Sequence, residues 1–514
     1  MSDNSAETDK VEVTPIKLDE SPKPEEEKKS EEALTPKDIE RMKRADFLGN
    51  GPLGSTIWKM TYPDLIAKII SSFYNIADSV FIGQYAGSTV EEKKNSLAGV
   101  ALASPIENCV IVGLSLIFAQ GGGPLYGRYL GKKDFKTSGR IIGNTFLMDI
   151  ILGIIAAIVL PLIARPFLIL LGASEEAQTL QPGLDYIRPL MYCDILYNIC
   201  FATNNLMRGE GAAMYSCTLM IISSVCNIMF DFIFLRFFNM GTMGAAIATC
   251  IAYTFSSSFG LWYFLSDRGA VSLHWKDMKP DCKLIGNIMN TGLPGMVIGL
   301  ANGILTIVSN QLIIRYSPDP TSPEATAAIA AAGNVARMQH FCFIPINSIA
   351  HGVVALLAFC RGSGLYKRFV SAMKYCFAGQ MVVCLILTLV CELFAPQLAK
   401  LFNSDPEFIR IFTIGLRFMA SSLCFSPFSC SLYPGLQAIG RGFGSAIVLM
   451  CRSCIFIIIV QVVLCHIRQD YWGVFYAYPI ADFCSALFAS CYFFFVKKDL
   501  YGEKQQQLPV QNKN

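Results

Sequence analysis

The sequence predicts an all-α polytopic membrane protein, with twelve transmembrane helices in two six-helix bundles related by a pseudo-twofold axis. Two observations lead to this fold class. Apolar windows of about 20 residues, each long enough to cross a bilayer of about 30 Å, recur along the chain, and landmarks of its first half return in its second half. Hydrophobic residues occupy 53% of the 514 positions and charged residues 16%, whereas soluble proteins carry about 25% charged residues.

Twelve apolar windows are predicted to span the membrane. They are 57–85, 98–120, 140–163, 184–207, 214–237, 242–265, 284–315, 327–359, 370–394, 408–433, 445–467 and 472–496. Residues 1–47 form a tail rich in Glu, Lys, Ser and Pro, which cannot bury a core and is expected to be disordered. A short helix is expected in it near 36–48, because Thr35-Pro36 is typical of a helix start. Residues 499–514 form a polar C-terminal tail.

An internal repeat divides the chain into a first half (48–265), a linker (266–283) and a second half (284–498). Four landmarks recur with the same spacing, 57 residues between the first two and 33 between the last two. The matched landmarks are Pro63 and Pro294, Gln120-Gly121 and His351-Gly352, Gly211 and Gly440, and Gly244 and Gly473. Six spans in each half give both halves the same orientation. This predicts an axis along the membrane normal and a cleft between the halves.

Basic residues in the loops predict the orientation in the membrane. The second and sixth loops carry clusters such as Lys132, Lys133 and Lys136, and Lys276 and Lys279, while the odd-numbered loops hold fewer cations and more acids. By the positive-inside rule, the even-numbered loops and both termini are cytoplasmic. The formal net charge of +3 is too small to indicate a nucleic-acid partner.

Two carboxylates stand out within the apolar spans of the first half. Asp78 lies in the stretch NIADSVFIGQ of the first span, and Asp231 lies in the fifth span. The repeat places Ser309 and Val460 at the corresponding positions of the second half. Because a charge inside a membrane is costly and packing does not require one, this asymmetry indicates function.

The polar residues around these carboxylates lie at similar depths. Counting from the span ends places Asp78, Asp231 and Thr249 about 10–12 Å below the outer ends of their helices. Asn227 lies one turn deeper than Asp231 on the same helix face, and Tyr74 one turn deeper than Asp78. Such hard oxygen ligands suit H⁺ or Na⁺, so the set is predicted to bind and release a cation.

Other polar residues inside the spans are weaker candidates. Glu107 and Arg337 are charged residues within the second and eighth spans, and His351 can titrate, but a structural hydrogen bond is the plainer expectation for each. The stretch QGGGPLYG at 120–127 has no Lys-Ser/Thr and follows no strand. It is therefore not a phosphate loop, and close helix packing or a helix break is expected there.

The motifs NIADSVFIGQ, MRGEGAAMY, NIMFDFIF and GAAIATCIA, in this order and spacing, resemble the multidrug and toxic compound extrusion (MATE) transporters over about residues 48–498. Carboxylates confined to the first half resemble the DinF-like branch. The resemblance implies that Asp78, Asn227, Asp231 and Thr249 bind the coupling cation, with Tyr74 and the adjacent residue Asn75 in support. It also implies antiport, in which a cation enters while an organic solute leaves.

The leading hypothesis is a cation-coupled exporter, a monomer in the plasma membrane, with H⁺ or Na⁺ as coupling ion and no cofactor. Its substrate is expected to be a small amphipathic or cationic organic solute, and membrane lipid is its other partner. The alternative within transport is a flippase of lipids or lipid-linked precursors, which a cleft studded with basic residues would favour. From another class, an intramembrane enzyme could use Asp78 and Asp231 as an aspartyl dyad, although Asn227, Thr249 and the repeat fit transport better.

Overall fold

The computed structural model describes residues 36–107, 111, 113–171, 173–176, 178–266, 268–317, 323–402 and 405–502. Of the two predicted tails, 1–47 and 499–514, residues 1–35 and 503–514 lie outside this part of the chain. The described residues form helices and no strand. The α-helices are α1 (Pro36–Gly49), α2 (Leu53–Tyr85), α3 (Val90–Ile106), α4 (Gly113–Gly131), α5 (Phe135–Leu170), α6 (Leu180–Tyr192), α7 (Asp194–Gly209), α8 (Ala213–Arg236), α9 (Gly241–Leu265), α10 (Cys282–Tyr316), α11 (Pro323–Gly362), α12 (Tyr366–Phe402), α13 (Pro406–Ser422), α14 (Ser426–Ala438), α15 (Gly442–Met450), α16 (Phe456–Arg468) and α17 (Gly473–Leu500).

The predicted all-α membrane fold is confirmed. Ten stretches of the described residues are long and apolar enough to cross a membrane. The fourth predicted span is divided at Cys193 into α6 and α7, and in the second predicted span Glu107 and Ile111, between α3 and α4, are π-helical. Pro189 lies in the last turn before Cys193, and Pro105 lies in the last turn of α3. A proline lacks the backbone donor that would continue the hydrogen-bond ladder, which weakens a helix at such a point.

Several connections lie together on one side of the bundle, which we call the near face. They are α1, the turn between α4 and α5, the turn between α7 and α8, and the linker. The linker packs against α5, where Asn144 Nδ2 donates to the carbonyl oxygen of Lys279 at 3.1 Å and Arg140 pairs with Asp281 at 2.9 Å. The opposite side is called the far face.

The two halves meet near this face through backbone contacts between helices. A Cβ atom added to Gly121 of α4 would overlap the carbonyl oxygen of Ile288 on α10, and one on Gly292 would overlap that of Ile117. The prediction of close packing at QGGG is confirmed, because Gly122 and Gly123 lie equally close to the first-half helices α5 and α7. A larger side chain would separate these helices, so glycine determines how closely the halves approach.

The helix α1 occupies the region where the short helix is predicted, and it contacts both halves. Leu48 packs into an apolar cluster formed mainly by α11, α12, α14 and α17 of the second half. From the same half, Arg368 donates to the carbonyl oxygens of Leu48 and Gly51 at 2.9 and 2.7 Å. On the other side of the helix, Arg44 pairs with Glu210 of the first half. This helix is therefore packed between the two halves at the near face.

Candidate cation site and its neighbours

Three of the predicted site residues come together where α8 packs against α9. Asn227 and Asp231 lie one turn apart on α8 and are buried. Asn227 Nδ2 donates to Thr249 Oγ1 at 2.9 Å, and Thr249 Oγ1 in turn donates to the carbonyl oxygen of Ala245 at 3.1 Å. These bonds use the amide donor of Asn227, so its oxygen Oδ1 is left without a hydrogen-bond partner among the described residues.

The fourth residue, Asp78, approaches this pair from α2. The rings of Phe81 and Phe232 lie 6.0 Å apart, which shows that α2 and α8 pack together one turn beyond Asp78. Asp78 is close enough to Asp231 for their carboxyl groups to interact electrostatically. The structure thus brings all four predicted residues into one region, between α2, α8 and α9.

The oxygen atoms of this region lack donors. Asp231 is fully buried, with 0% of its surface exposed. Neither of its carboxyl oxygens, nor Oδ1 of Asp78, accepts a hydrogen bond from any described residue. Burying an unpaired carboxylate is costly, so these oxygens require a proton or a cation. The arrangement can therefore hold a positive charge between acceptors that otherwise repel one another.

The supporting and weaker candidates of the first half take different positions. Tyr74 hydrogen-bonds Tyr253 of α9, whereas Asn75 is exposed and its carbonyl oxygen accepts from Ser79. Glu107, at the end of α3, interacts electrostatically with Asp78 and therefore belongs to the same region. The side chain of Glu107 points towards Asp78 because of the rotational position of α3, which could not be predicted from the sequence.

Three tyrosines near Glu107 were not predicted. Tyr186, Tyr197 and Tyr253 all interact electrostatically with Glu107. The rings of Tyr197 and Tyr253 meet edge to face at 5.2 Å. Their hydroxyl groups make this part of the first half polar as well as aromatic. Tyrosine is common in apolar spans, so the sequence offered no signal that would single these three out.

A second carboxylate pair lies in the first half and was also missed. Asp149 of α5 and Asp194, where α6 gives way to α7, are buried and interact electrostatically. Asn198 Nδ2 donates to Asp194 Oδ2 and to the carbonyl oxygen of Asp149, both at 3.1 Å. The signal that identified Asp78, a carboxylate inside an apolar run, applies to Asp149 too. It also applies to Asp194, which lies inside the predicted span 184–207.

The matching region of the second half contains neutral or paired groups. Ser309 Oγ donates to Gln461 Oε1 at 3.1 Å, and Gln461 Nε2 donates to the carbonyl oxygen of Val474. The buried Asp482 lies 3.5 Å from Arg452 Nε. The asymmetry between the halves is thus present in three dimensions. Carboxylates without cationic partners lie in the first half, and amide, hydroxyl and ion-pair contacts lie in the second.

The two basic candidates lie outside the Asp78–Asp231 region. Arg337 is exposed on α11 and lies 3.5 Å from Asn334 Oδ1. His351 is also on α11, but nearer the near face, where its Nδ1 lies 3.1 Å from Lys68 Nζ. No group of three or more His, Cys, Asp or Glu side chains among the described residues is placed to hold a metal ion.

Comparisons with known proteins agree with this architecture. The MatE family model matches residues 63–233 and 322–463. The multidrug export protein MepA of Staphylococcus aureus (strain MSSA476) is 25% identical over 413 residues, covering 80% of this chain and 87% of its own. The multidrug export protein MepA of Staphylococcus saprophyticus is 24% identical over 448 residues, covering 87% of this chain and 94% of its own.

Solved structures show the same fold. A MATE transporter crystallised in the straight conformation superposes with a TM-score of 0.80 at 22% identity, over 90% of this chain and 99% of its own. The outward-facing conformation of a multidrug resistance MATE family transporter gives a TM-score of 0.78 at 22% identity, over 91% of this chain and 100% of its own. With the family model covering more than half of the residues, the chain belongs to the MatE family and is a multi-pass membrane transporter rather than an enzyme.

Proposed function

We propose that this transporter is a cation-coupled antiporter that exports small organic solutes, and that Asp78, Asn227, Asp231 and Thr249 bind the coupling cation. The observation that carries the proposal is the fully buried Asp231, whose two carboxyl oxygens have no donor among the described residues. A group of this kind is stable when it binds H⁺ or Na⁺ and costly when it is empty. The occupancy of the site can therefore change the relative stability of two conformations.

The mechanism follows from the location of the site within one half. With the near face closed by α4, α10 and α11, the cation reaches Asp78 and Asp231 from the far face. Binding neutralises the repulsion between the two carboxylates, and α2, α8 and α9 can then repack more tightly around them. A change in this packing alters the cleft surface that the first half presents, which releases the solute. The halves, residues 48–265 and 284–498, then exchange access between the two faces.

The near face is proposed to be cytoplasmic, with the protein in the plasma membrane and both termini inside the cell. The basic residues of the linker and of the loop between α4 and α5 support this orientation. Export then runs towards the far face, and the cation moves inward. Carboxylates that lack cationic partners in the first half support the DinF-like branch.

The substrate is proposed to be a small amphipathic or cationic organic solute, and the protein is proposed to act as a monomer in contact with membrane lipid. The relatives described above are multidrug export proteins by name. Buried carboxylates and tyrosines in the first half favour cationic over anionic groups in that part of the molecule. The proposed coupling ion is H⁺ or Na⁺, since the same four oxygen-bearing side chains suit both.

Reconstitution into liposomes tests the proposal. The protein would be placed in vesicles with an imposed pH gradient or Na⁺ gradient, and the transport of a fluorescent cationic dye would be followed. We expect gradient-driven transport by the wild type and its loss, by about 100-fold or more, in Asp231→Asn and Asp78→Asn. Asp185→Asn, which alters a carboxylate that hydrogen-bonds Gln181 at the surface, is the matched control and should transport normally.

Comparing the two gradients identifies the coupling ion, because dye transport should be driven by the pH gradient if the ion is H⁺ and by the Na⁺ gradient if it is Na⁺. Each variant is first checked for folding by its elution in size-exclusion chromatography and by its thermal unfolding. Wild-type gradient-driven transport by folded Asp231→Asn would exclude this site from coupling. Transport by the wild type without either gradient would exclude antiport driven by these ions.

A further inference from the structure

A second cluster of charged residues joins the two halves close to the near face, away from the proposed cation site. Asp64 and Lys68 lie one turn apart on α2, with Oδ2 and Nζ 2.6 Å from each other. Arg208, near the end of α7, pairs with the other carboxyl oxygen of Asp64. His351 of the second half places Nδ1 at 3.1 Å from Lys68 Nζ and 3.4 Å from Arg208 Nη1. The cluster is thus shared between the halves.

Counted by formal charge, the cluster has an excess of one positive charge. Lys68 and Arg208 contribute two positive charges and Asp64 one negative charge. Both cationic neighbours of His351 Nδ1 are donors without a lone pair, so Nδ1 must accept, and the imidazole is neutral with its proton on Nε2. No other carboxylate among the described residues pairs with Lys68 or Arg208. A buried positive charge without a counter-charge is unfavourable, so an anion beside it would be stabilised.

A small cavity lies beside this cluster, between the halves. It has a volume of about 30 Å³, and Arg208 and His351 line it together with Gln120, Asn205, Tyr433 and Gln437. None of the described residues that line it is Asp or Glu. The volume is that of one or two water molecules, which is sufficient for a halide ion.

An unused donor also lines the cavity. Tyr433 belongs to α14 of the second half and is only 4% exposed, and its hydroxyl group has no hydrogen-bond partner among the described residues. Its hydroxyl group lies within electrostatic reach of Asp64 and of Arg208, and Asp64 is itself paired with Lys68 and Arg208. The amide donor of the neighbouring Gln437 is already used on the carbonyl oxygen of Thr291, at 2.9 Å. A buried hydroxyl without a partner costs free energy, which an acceptor in the cavity would recover.

We infer that this cavity binds one small monovalent anion of the chloride type, held by the Arg208 guanidinium and the Tyr433 hydroxyl. The excess positive charge, the unused hydroxyl donor, the absence of carboxylates in the described lining and the cavity volume all favour this occupant. Arg208 lies in the first half and Tyr433 in the second, so the bound anion connects them. It therefore stabilises the conformation in which the near face is closed, and this site does not depend on which solute is exported.

Thermal unfolding of the purified full chain in detergent tests the inference. Chloride would be titrated against gluconate at constant ionic strength, with bromide and acetate in separate series. We expect a saturable increase of the apparent Tm with chloride and bromide, and none with gluconate or acetate. Tyr433→Phe removes one hydrogen bond to a charged ligand and should weaken the apparent chloride affinity about tenfold. It should leave the fold intact, because the hydroxyl has no hydrogen-bond partner to lose in the part of the chain that the structure describes.

Two controls keep the result interpretable. Tyr192→Phe makes the same chemical change at an exposed position and should respond to chloride like the wild type. Arg208→Gln should abolish the chloride response, although the loss of the Asp64 partner also lowers its stability without chloride. Identical Tm values in chloride and gluconate, or an unchanged response in Tyr433→Phe, would overturn the inference. Stabilisation by acetate as large as that by chloride would assign the cavity to a carboxylate group and reject the halide.

Discussion

The ion pair that holds α1 to the first half gives a quantitative prediction. Glu210 is fully buried and accepts hydrogen bonds from four groups, namely Arg44, the hydroxyls of Tyr126 and Tyr263, and the backbone N–H of Ala270. Burial is the largest single influence and lowers the pKa of Arg44, but the Glu210 carboxylate, Tyr263 and the hydrogen bond to Glu40 together outweigh it, so the pKa of Arg44 is raised above its ordinary value. The arginine is therefore a stable cation, and its removal leaves a buried carboxylate without a counter-charge.

The perturbation is Arg44→Met, which keeps most of the apolar stem and removes the charge. Breaking a buried pair by removing one partner costs about 3–5 kcal/mol. We expect the lower end, about 3 kcal/mol, because Glu210 keeps three neutral donors and part of the Arg44 side chain reaches solvent. Glu210→Gln in the same background should recover part of this loss, since a neutral amide needs no cation.

The assay is reversible unfolding of the full chain in mixed micelles of a mild detergent and sodium dodecyl sulfate, in a double-mutant cycle with Arg44→Met and Glu210→Gln. The cycle yields the coupling free energy between the two side chains. Lys43→Met, at an exposed cation of the same helix, is the matched control and should change the free energy of unfolding by less than about 0.5 kcal/mol. A coupling free energy near zero, or equal effects of Arg44→Met and Lys43→Met, would refute the reasoning.

Two further predictions concern helix contacts and caps. Gly292→Ala should destabilise the protein by about 1–3 kcal/mol, because the new methyl group overlaps the carbonyl oxygen of Ile117. At Gly286 a Cβ atom meets open space, so Gly286→Ala should stabilise the protein by about 0.5–1 kcal/mol. Thermal unfolding of both variants checks these two expectations. Asp134→Ala should cost about 1 kcal/mol at neutral pH, because Asp134 caps α5 through the backbone N–H of Thr137. That hydrogen bond lowers the pKa of Asp134. The difference in the free energy of unfolding between wild type and variant should therefore be largest at pH values above the ordinary carboxyl pKa, and it should shrink as the pH falls through the lowered pKa of Asp134. A difference that stays constant down to pH 2 would contradict this cap.

Much of the fold could be predicted because a bilayer imposes length and polarity on each span. The positions of the twelve spans follow from apolar windows alone, and Asp78 and Asp231 stand out because a carboxylate in such a window is rare. Their convergence with Asn227 and Thr249 also follows from counting along the helices. These are properties of one helix at a time, which the sequence contains directly.

The remaining features depend on which helix faces meet. Asp64, Lys68, Arg208 and His351 form one cluster, in which Lys68 and His351 are 283 sequence positions apart, and no periodicity within a single span predicts that meeting. Arg208 lies one residue beyond the predicted span 184–207, so the span itself gave no indication of a basic residue at this position. Likewise, Glu107 could be placed within the second span, but the direction of its side chain could not be predicted, since the rotational position of α3 depends on the helices against which it packs.

The position of α1 has a practical consequence for shortening the chain. A protein that starts at Pro52 loses Arg44, so Glu210 is left without its cation, and it loses Leu48 from the apolar cluster of the second half. Arg368 would also lose both carbonyl acceptors, those of Leu48 and Gly51. A protein that starts at Pro36 keeps all of these contacts. The boundary for shortening the N-terminus without losing these contacts therefore lies before α1, about 17 residues earlier than the first membrane helix would suggest.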